Sequence, residues 1–461
     1  MSLAGNEMAG LHWRGEAPFV GSIPTISRNN YLGGEMTERF NLFEGNCLEV
    51  MATMAENSID SIVTDPPYEL GFMGKSWDSS GVAFNVEVWQ EALRVLKPGG
   101  HLLAFSGSRT YHRMAVAIED AGFEIRDQIM WIYGSGFPKS HNVSKGIDKA
   151  AGAVREVVGQ GADYGHQDDK EIDQAYGFKA DYNITAPATP AAKQWDGWGT
   201  ALKPAHEPIV VARKPLIGTV ANNVLTFGTG GLNIDGSRVG SDERTFDSKG
   251  IRSGSGNFIG DDWKPENNPT TVEGRWPANV IHDGSDEVVE LFPEAKGKVG
   301  MKILSDFTFS VGDKVDGAKF ASQAGLGDSG SAARFFYCAK ASKRDRNEGL
   351  DGFEAKRDHD GRADGGVGGD NPRNRTNNEK LNHHPTVKPT TLMQYLVRLV
   401  TPPNGIVLDP FLGSGSTGKA AMCEGFNFIG IELTPEYLPI AKARIEFALQ
   451  NKELELDFDT P

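Results

Sequence analysis

The pattern of apolar and polar positions divides the chain into two regular ends and an irregular middle. Between Phe40 and Trp131, short apolar runs alternate with helical spacing. Ser61-Ile62-Val63-Thr64 predicts a buried strand that feeds into Asp65. Val86, Trp89, Leu93 and Leu96 recur at helical intervals. Lys97-Pro98-Gly99-Gly100 ends that helix, because proline cannot continue it and glycine suits the position just past a helix end. Residues 102–105 predict a second strand, 113–121 a helix stopped at Gly122, and 129–132 a third strand. Regularity returns late in the chain: strand 406–408, helix 417–424, strand 428–431 and helix 435–449. Strands alternating with helices predict a parallel sheet covered on both faces. Neither end has enough strands for a full sheet, so the two together are expected to build one α/β sheet.

The middle reads differently. Residues 134–200 are rich in Gly, Asp, Lys and Ala, and Ile209-Val210-Val211 adds one apolar strand after them. Residues 215–335 are irregular and glycine-rich, and 347–382 are polar enough to read as a mobile loop. The predicted organisation is a flexible arm (1–38), a first half of the sheet domain (39–214) with a polar insert (134–200), and an irregular region (215–335). A polar mobile linker (336–383), the second half of the sheet domain (384–450) and an acidic tail (451–461) follow.

Composition narrows the function classes. Cys47, Cys338 and Cys423 lie far apart with no CxxC pair, which excludes a disulfide framework and a zinc ribbon and suits a reducing cytoplasm. No metal site is expected. No apolar run approaches the roughly 18 residues of a membrane span, and the N-terminus lacks the order of a signal peptide. The formal net charge of −15 argues at first against a nucleic-acid partner. It is unevenly spread: segments 94–149 and 331–390 each carry +3, while 424–461 carries −5. Phosphate contacts need only a local basic surface.

Two motifs carry candidate chemistry. Near the C-terminus, Asp409-Pro410-Phe411-Leu412-Gly413-Ser414-Gly415 lies between a strand and a helix, where glycines let backbone approach a ligand closely. The next strand ends at Glu432, placed as an acceptor for ribose hydroxyls in nucleoside-binding sheets. Gly413 to Lys419 also matches most of a phosphate-binding P-loop, but Ala420 stands where a hydroxyl should ligate magnesium. A carboxylate at Asp409 would repel a triphosphate and suits a cationic ligand. The second motif, Asp65-Pro66-Pro67-Tyr68, follows a strand end. Two prolines fix two φ angles, so the turn presents a carboxylate, an oriented carbonyl and an aromatic face. That set suits a planar ring bearing an amino group. Two acceptors localise the nitrogen lone pair, and Asp65 stabilises the positive charge that develops on attack.

Together the two motifs resemble the S-adenosylmethionine-dependent amino-methyltransferases of DNA, in the beta-class order with Asp-Pro-Pro-Tyr first and the glycine loop last. The resemblance implies a Rossmann-like methyltransferase sheet, with residues 215–335 as the inserted target recognition region. It implies S-adenosylmethionine as cofactor and double-stranded DNA as partner, with the oligomeric state, monomer or homodimer, left open. Asp65, Pro66, Pro67 and Tyr68 would bind a flipped-out base. Asp409, Pro410, Phe411, Gly413 and Gly415 would cradle the cofactor, and Glu432 would hold its ribose. Asn46, in Glu44-Gly45-Asn46-Cys47, stands where the family usually has Asp and would accept from the adenine amino group of the cofactor. His384-Pro385-Thr386-Val387-Lys388-Pro389 looks like the segment at the methionine end, so Thr386 and Lys388 are expected there, with Lys388 facing the cofactor carboxylate. Leu96-Lys97-Pro98-Gly99-Gly100 and His206-Glu207-Pro208-Ile209 resemble further family segments. Phe72-Met73-Gly74-Lys75-Ser76-Trp77-Asp78 is similar to a subgroup common in phages and prophages. An initial Asp in the turn is the more usual pattern for adenine N6, with cytosine N4 as the alternative. More distant alternatives are a protein glutamine methyltransferase, which has the reverse motif order, and a P-loop nucleotidase. A companion restriction endonuclease is not decided by this chain, which carries no evident endonuclease motif.

Overall fold

The computed structural model describes residues 39–70, 76–136, 138, 140–162, 181–246, 270–296, 301–303, 320–322, 329–340, 342–357 and 379–458. Its centre is one sheet built of β1 (Phe40–Glu44), β2 (Ile59–Thr64), β3 (Leu96–Phe105), β4 (Glu124–Ile132), β5 (His206–Arg213), β6 (Val280–His282), β7 (Tyr337–Cys338), β8 (Ile406–Asp409) and β9 (Asn427–Glu432). Their spatial order is β1-β9-β8-β2-β3-β5-β4-β6-β7. The two late strands therefore slot between the first two, and one sheet is assembled from both ends of the chain. All six residues of β2 are buried, as a strand in the middle of a doubly covered sheet requires.

Alternate residues of each strand feed two cores. Val63, Leu103, Val211, Val407 and Phe428 face α4 (Thr390–Val400), α5 (Ser416–Glu424) and α6 (Leu438–Phe458). Ile62, Leu102, Val210, Leu408 and Ile429 face α1 (Cys47–Ala52), α2 (Val86–Val95) and α3 (Tyr111–Asp120). In α2 the buried positions Val88, Trp89, Ala92 and Val95 form one stripe, and the Asn85 side chain caps its start by accepting from the Glu87 N–H. Helices from the early part of the chain thus cover one face, and helices from the late part cover the other.

The structure departs from the expectations at five places. The sheet is not all parallel, because β5 runs antiparallel to both β3 and β4. The sheet also extends into the middle: β6 pairs parallel with β4, and β7 pairs parallel with β6, so parts of 215–335 and 336–383 belong to the main sheet. Segment 134–200 holds helices Val143–Ala150 and Pro190–Gln194 and a hairpin of Val157–Ala162 with Asp181–Thr185. There Arg155 bonds the buried Asp148 carboxylate at 2.7 Å. Helix α2 ends at Val95, yet Lys97 and Pro98 continue at once into β3, with Gly99 at φ +78° and an irregularity opposite Ile59 and Ser61. Finally, α6 continues to Phe458, where a tail was expected from 451. The arm 1–38 and residues 358–378 of the polar loop lie outside the described residues. No described helix is long and apolar enough to cross a membrane.

Candidate active site at the head of the sheet

Strands β1, β9, β8, β2 and β3 all end at one edge of the sheet. The reversed β5 begins there. In α/β sheets ligands bind in the crevice outside this edge, where the strand order reverses. A cavity of about 1400 Å³ opens at that place. Every residue proposed from the sequence lines it except Gly415. That glycine packs instead on α6: a Cβ there would lie 2.9 Å from the Ala441 Cα, and its φ is +77°.

The glycine loop is held by its own acids. Asp409 is 2% exposed. Its Oδ1 accepts from the Thr64 hydroxyl at 2.6 Å and from the Phe411 N–H at 3.1 Å, and its Oδ2 accepts from the Thr417 hydroxyl at 2.6 Å. Burial pushes this carboxyl up to about 6, with the three hydrogen bonds pulling the other way. The Glu432 carboxylate accepts from the Gly413 N–H and the Thr434 N–H, each at 2.7 Å. Burial raises its pKa as well. Asn46 caps α1, its Oδ1 accepting from the Leu48 N–H at 2.9 Å.

The Asp-Pro-Pro-Tyr turn is held from a distance. The Lys388 ammonium donates to Asp65 Oδ2 at 2.7 Å and to the Tyr68 hydroxyl at 3.0 Å, and lies 3.3 Å from Glu207 Oε2. The Tyr68 hydroxyl donates to Glu207 Oε2 at 2.8 Å. Lys388 also sits over the Tyr68 and Phe105 rings, 5.2 and 4.8 Å from their centroids. Burial alone would lower the Lys388 pKa, but the charges of Asp65 and Glu207 outweigh it and raise it. Burial, with Asp65 and Glu207 beside it, pushes the Tyr68 phenol well above its usual range. Asp65 Oδ1 is buried and has no hydrogen-bond partner among the described residues. After the turn, Glu69 takes a left-handed φ of +55°, and the Asp78 carboxylate steadies it by accepting from the Glu69 and Leu70 N–H groups at 2.9 and 3.2 Å.

Residues 384–388 join the two motifs. The His384 ring packs on the glycine loop, 2.9 Å from where a Gly413 Cβ would sit, and its Nδ1 lies 2.5 Å from the Thr386 carbonyl. Burial lowers the His384 pKa to about 4, so this ring is neutral near pH 7. Lys388, four residues on, reaches the other motif. Its Nζ is surrounded by two oxygens of the turn, from Asp65 and Tyr68, and by the Glu207 carboxylate of β5. Lys419, the lysine of the P-loop match, has a side chain only 3% exposed and pairs with Glu348 at 2.7 Å, away from this cavity. A nucleotidase would need it at the phosphates. Gly71 to Lys75, which carry most of the phage-like segment, lie outside the described residues. Sequence reasoning gave no role to Glu207, Thr64, Thr417 or Tyr133. Only the antiparallel direction of β5, which brings the start of one strand beside the ends of its neighbours, could have pointed to Glu207.

Two motifs found far apart in sequence thus share one cavity, directly bonded through Thr64 and Asp409. A family model described as DNA methylase matches residues 59–443, most of the chain. The chain belongs to this DNA methylase family. Among curated proteins, the chain is 52% identical to the putative methylase YubD of Escherichia coli over 14% of its own length and 28% of that protein. It is 39% identical to the DNA adenine methyltransferase YhdJ of Escherichia coli over 19% of its own length and 30% of that protein. The aligned stretches therefore span less than a third of either relative. Among solved structures, the cytosine-N4-specific PvuII DNA methyltransferase aligns over 91% of this chain and 94% of its own, with 14% identity and a TM-score of 0.39.

Proposed function

We propose that this DNA methylase transfers a methyl group from S-adenosylmethionine to the exocyclic amino group of a base flipped out of double-stranded DNA, with adenine N6 as the target. The observation that carries the reading is at Asp65, which lines the cavity together with the glycine loop and whose buried Oδ1 has no hydrogen-bond partner among the described residues. A lone acceptor there suits an N–H donor.

The residues present fit the cofactor. Among the described residues the cavity is lined by five acids, Asp65, Asp78, Glu207, Asp409 and Glu432, against three cations, Lys388, Arg109 and Lys203, a balance that favours a positively charged ligand. Phe411, Gly413 and Pro410 would hold the cofactor from the loop side, with Glu432 at the ribose and Asn46 at the adenine. Bound there, S-adenosylmethionine supplies an electrophilic methyl group on a sulfonium. Asp65 Oδ1 and the Pro66 carbonyl accept from the amino group of the target base and draw its lone pair out of the ring. The Tyr68 ring offers the stacking face. As the nitrogen becomes positive, the Asp65 carboxylate stabilises the charge and is the nearest group to take the departing proton. An adenine or cytosine amino group lies inside the base pair, so the base must leave the stack first. Basic segments 94–149 and 331–390 supply phosphate contacts.

The test is to incubate purified protein with unmethylated bacterial DNA and labelled S-adenosylmethionine, then to digest the DNA and separate the nucleosides. Labelled N6-methyladenine is expected. Labelled N4-methylcytosine alone would transfer the reading to cytosine, and no label in DNA would reject it.

A further inference from the structure

The Glu207–Lys388–Asp65 cluster contains more charge than is needed to hold a turn. Lys388 alone would satisfy Asp65 Oδ2 and fix the direction of Oδ1. A lysine in direct contact, however, also neutralises the carboxylate it holds. Glu207 contacts the same ammonium, 3.3 Å from Nζ, and its Oε2 also accepts from the Tyr68 hydroxyl. Lys388 is 7% exposed, so water screens this set weakly. Two carboxylates and one ammonium leave one net negative charge, and Asp65 Oδ1 is the buried oxygen of the set that has no hydrogen-bond partner among the described residues.

We propose that Lys388 and Glu207 are positioning residues for the methyl-transfer step: Lys388 aims Asp65, and Glu207 cancels the positive charge that Lys388 would otherwise impose on it. The proposal rests on the methyltransferase reading above. It has a consequence that a purely structural cluster lacks, because the net charge of the set can be broken and then restored. Glu207→Gln keeps an oxygen acceptor for Tyr68 but brings the set to zero. Lys388→Met brings it to −2 and releases Asp65. The double variant returns it to −1 without rebuilding either contact.

Wild type and the three variants are to be compared for kcat, KM for S-adenosylmethionine, S-adenosylmethionine affinity by calorimetry, and thermal unfolding midpoint without cofactor. We expect Glu207→Gln to lower kcat about 100-fold, the scale of losing one transition-state electrostatic contact, with KM and cofactor affinity near wild type. The double variant is expected to regain at least about tenfold of the kcat lost in Glu207→Gln, while its unfolding midpoint falls below that of either single variant, since restoring charge restores no packing. A double variant no more active than the weaker single variant would overturn the proposal. Should Lys388→Met fail to fold, Glu207→Gln alone still decides, because an unchanged kcat would overturn the charge argument. An inactive wild type would instead reject the methyltransferase reading itself.

Discussion

The head of the sheet carries two carboxylates in adjacent loops, and the fold treats them in opposite ways. Asp409 is surrounded by donors from its own loop and from Thr64, and each of its oxygens accepts at least one hydrogen bond. No cation is hydrogen-bonded to it, and burial raises its pKa to about 6. Asp65 has a lysine on one oxygen and, among the described residues, no hydrogen-bond partner on the other. The first arrangement spends a carboxylate on fixing backbone; the second leaves an acceptor ready for an incoming donor. A buried acid is thus not by itself a catalytic acid, and the test is whether its lone pairs are already committed.

The largest break in the comparison comes from Asp65→Ala. Methyl transfer should fall by about a thousandfold or more, the upper range for removing one transition-state electrostatic contact, while cofactor binding by calorimetry stays near wild type. An active variant would remove Asp65 from the chemistry. Next in size is Gly415→Ala. Its φ of +77° is strained for a side chain, and the new Cβ would press on the α6 backbone at Ala441. We expect a stability loss of about 1–3 kcal/mol in chemical denaturation, with weakened cofactor binding because the loop must shift.

Asp409→Asn sharpens the contrast through pH. In the folded protein Asp409 holds its proton up to about pH 6, whereas an ordinary carboxyl releases it near 3.8. Between those values the folded state binds more protons than the unfolded one. Wild-type stability should therefore fall as pH rises from about 4 to about 6, by up to about 3 kcal/mol from this group. The asparagine variant cannot ionise, so the wild-type-minus-variant difference should show that slope and then level off above pH 6. A difference independent of pH would mean that the Asp409 carboxyl has the same pKa in the folded and unfolded states. Activity at pH 7 should change far less than in Asp65→Ala.

Both loops were readable as local strings. Strand, Asp-Pro-Phe-Leu-Gly-Ser-Gly, helix is a backbone pattern: glycines take the positive φ angles, and the acid serves its own loop within eight residues, at Thr417. The Asp-Pro-Pro-Tyr turn was legible for the same reason, since prolines set their own geometry. The cores of β2, β3, β5, β8 and β9 were also visible, because fully buried strands are continuous apolar runs. Less visible were β6 and β7, which are three and two residues long. They have too few positions to show a period, and the pairing of β6 with β4 and of β7 with β6 makes them strands.

By itself, then, the sequence determined the two motif loops, the helices and strands that carry them, and the assembly of one sheet from both ends. These depend on periodicity and on backbone preferences that act over a few residues. Tertiary structure alone decided which charges meet. Lys388 bonds a carboxylate 323 positions earlier, and Glu207 reaches it because β5 runs against its neighbours. No local preference encodes such a contact; it exists only once separate strands end at the same edge. The same physics draws Lys388 to Asp65 and Glu207, since a buried ammonium settles where the nearest anions can offset its lost hydration.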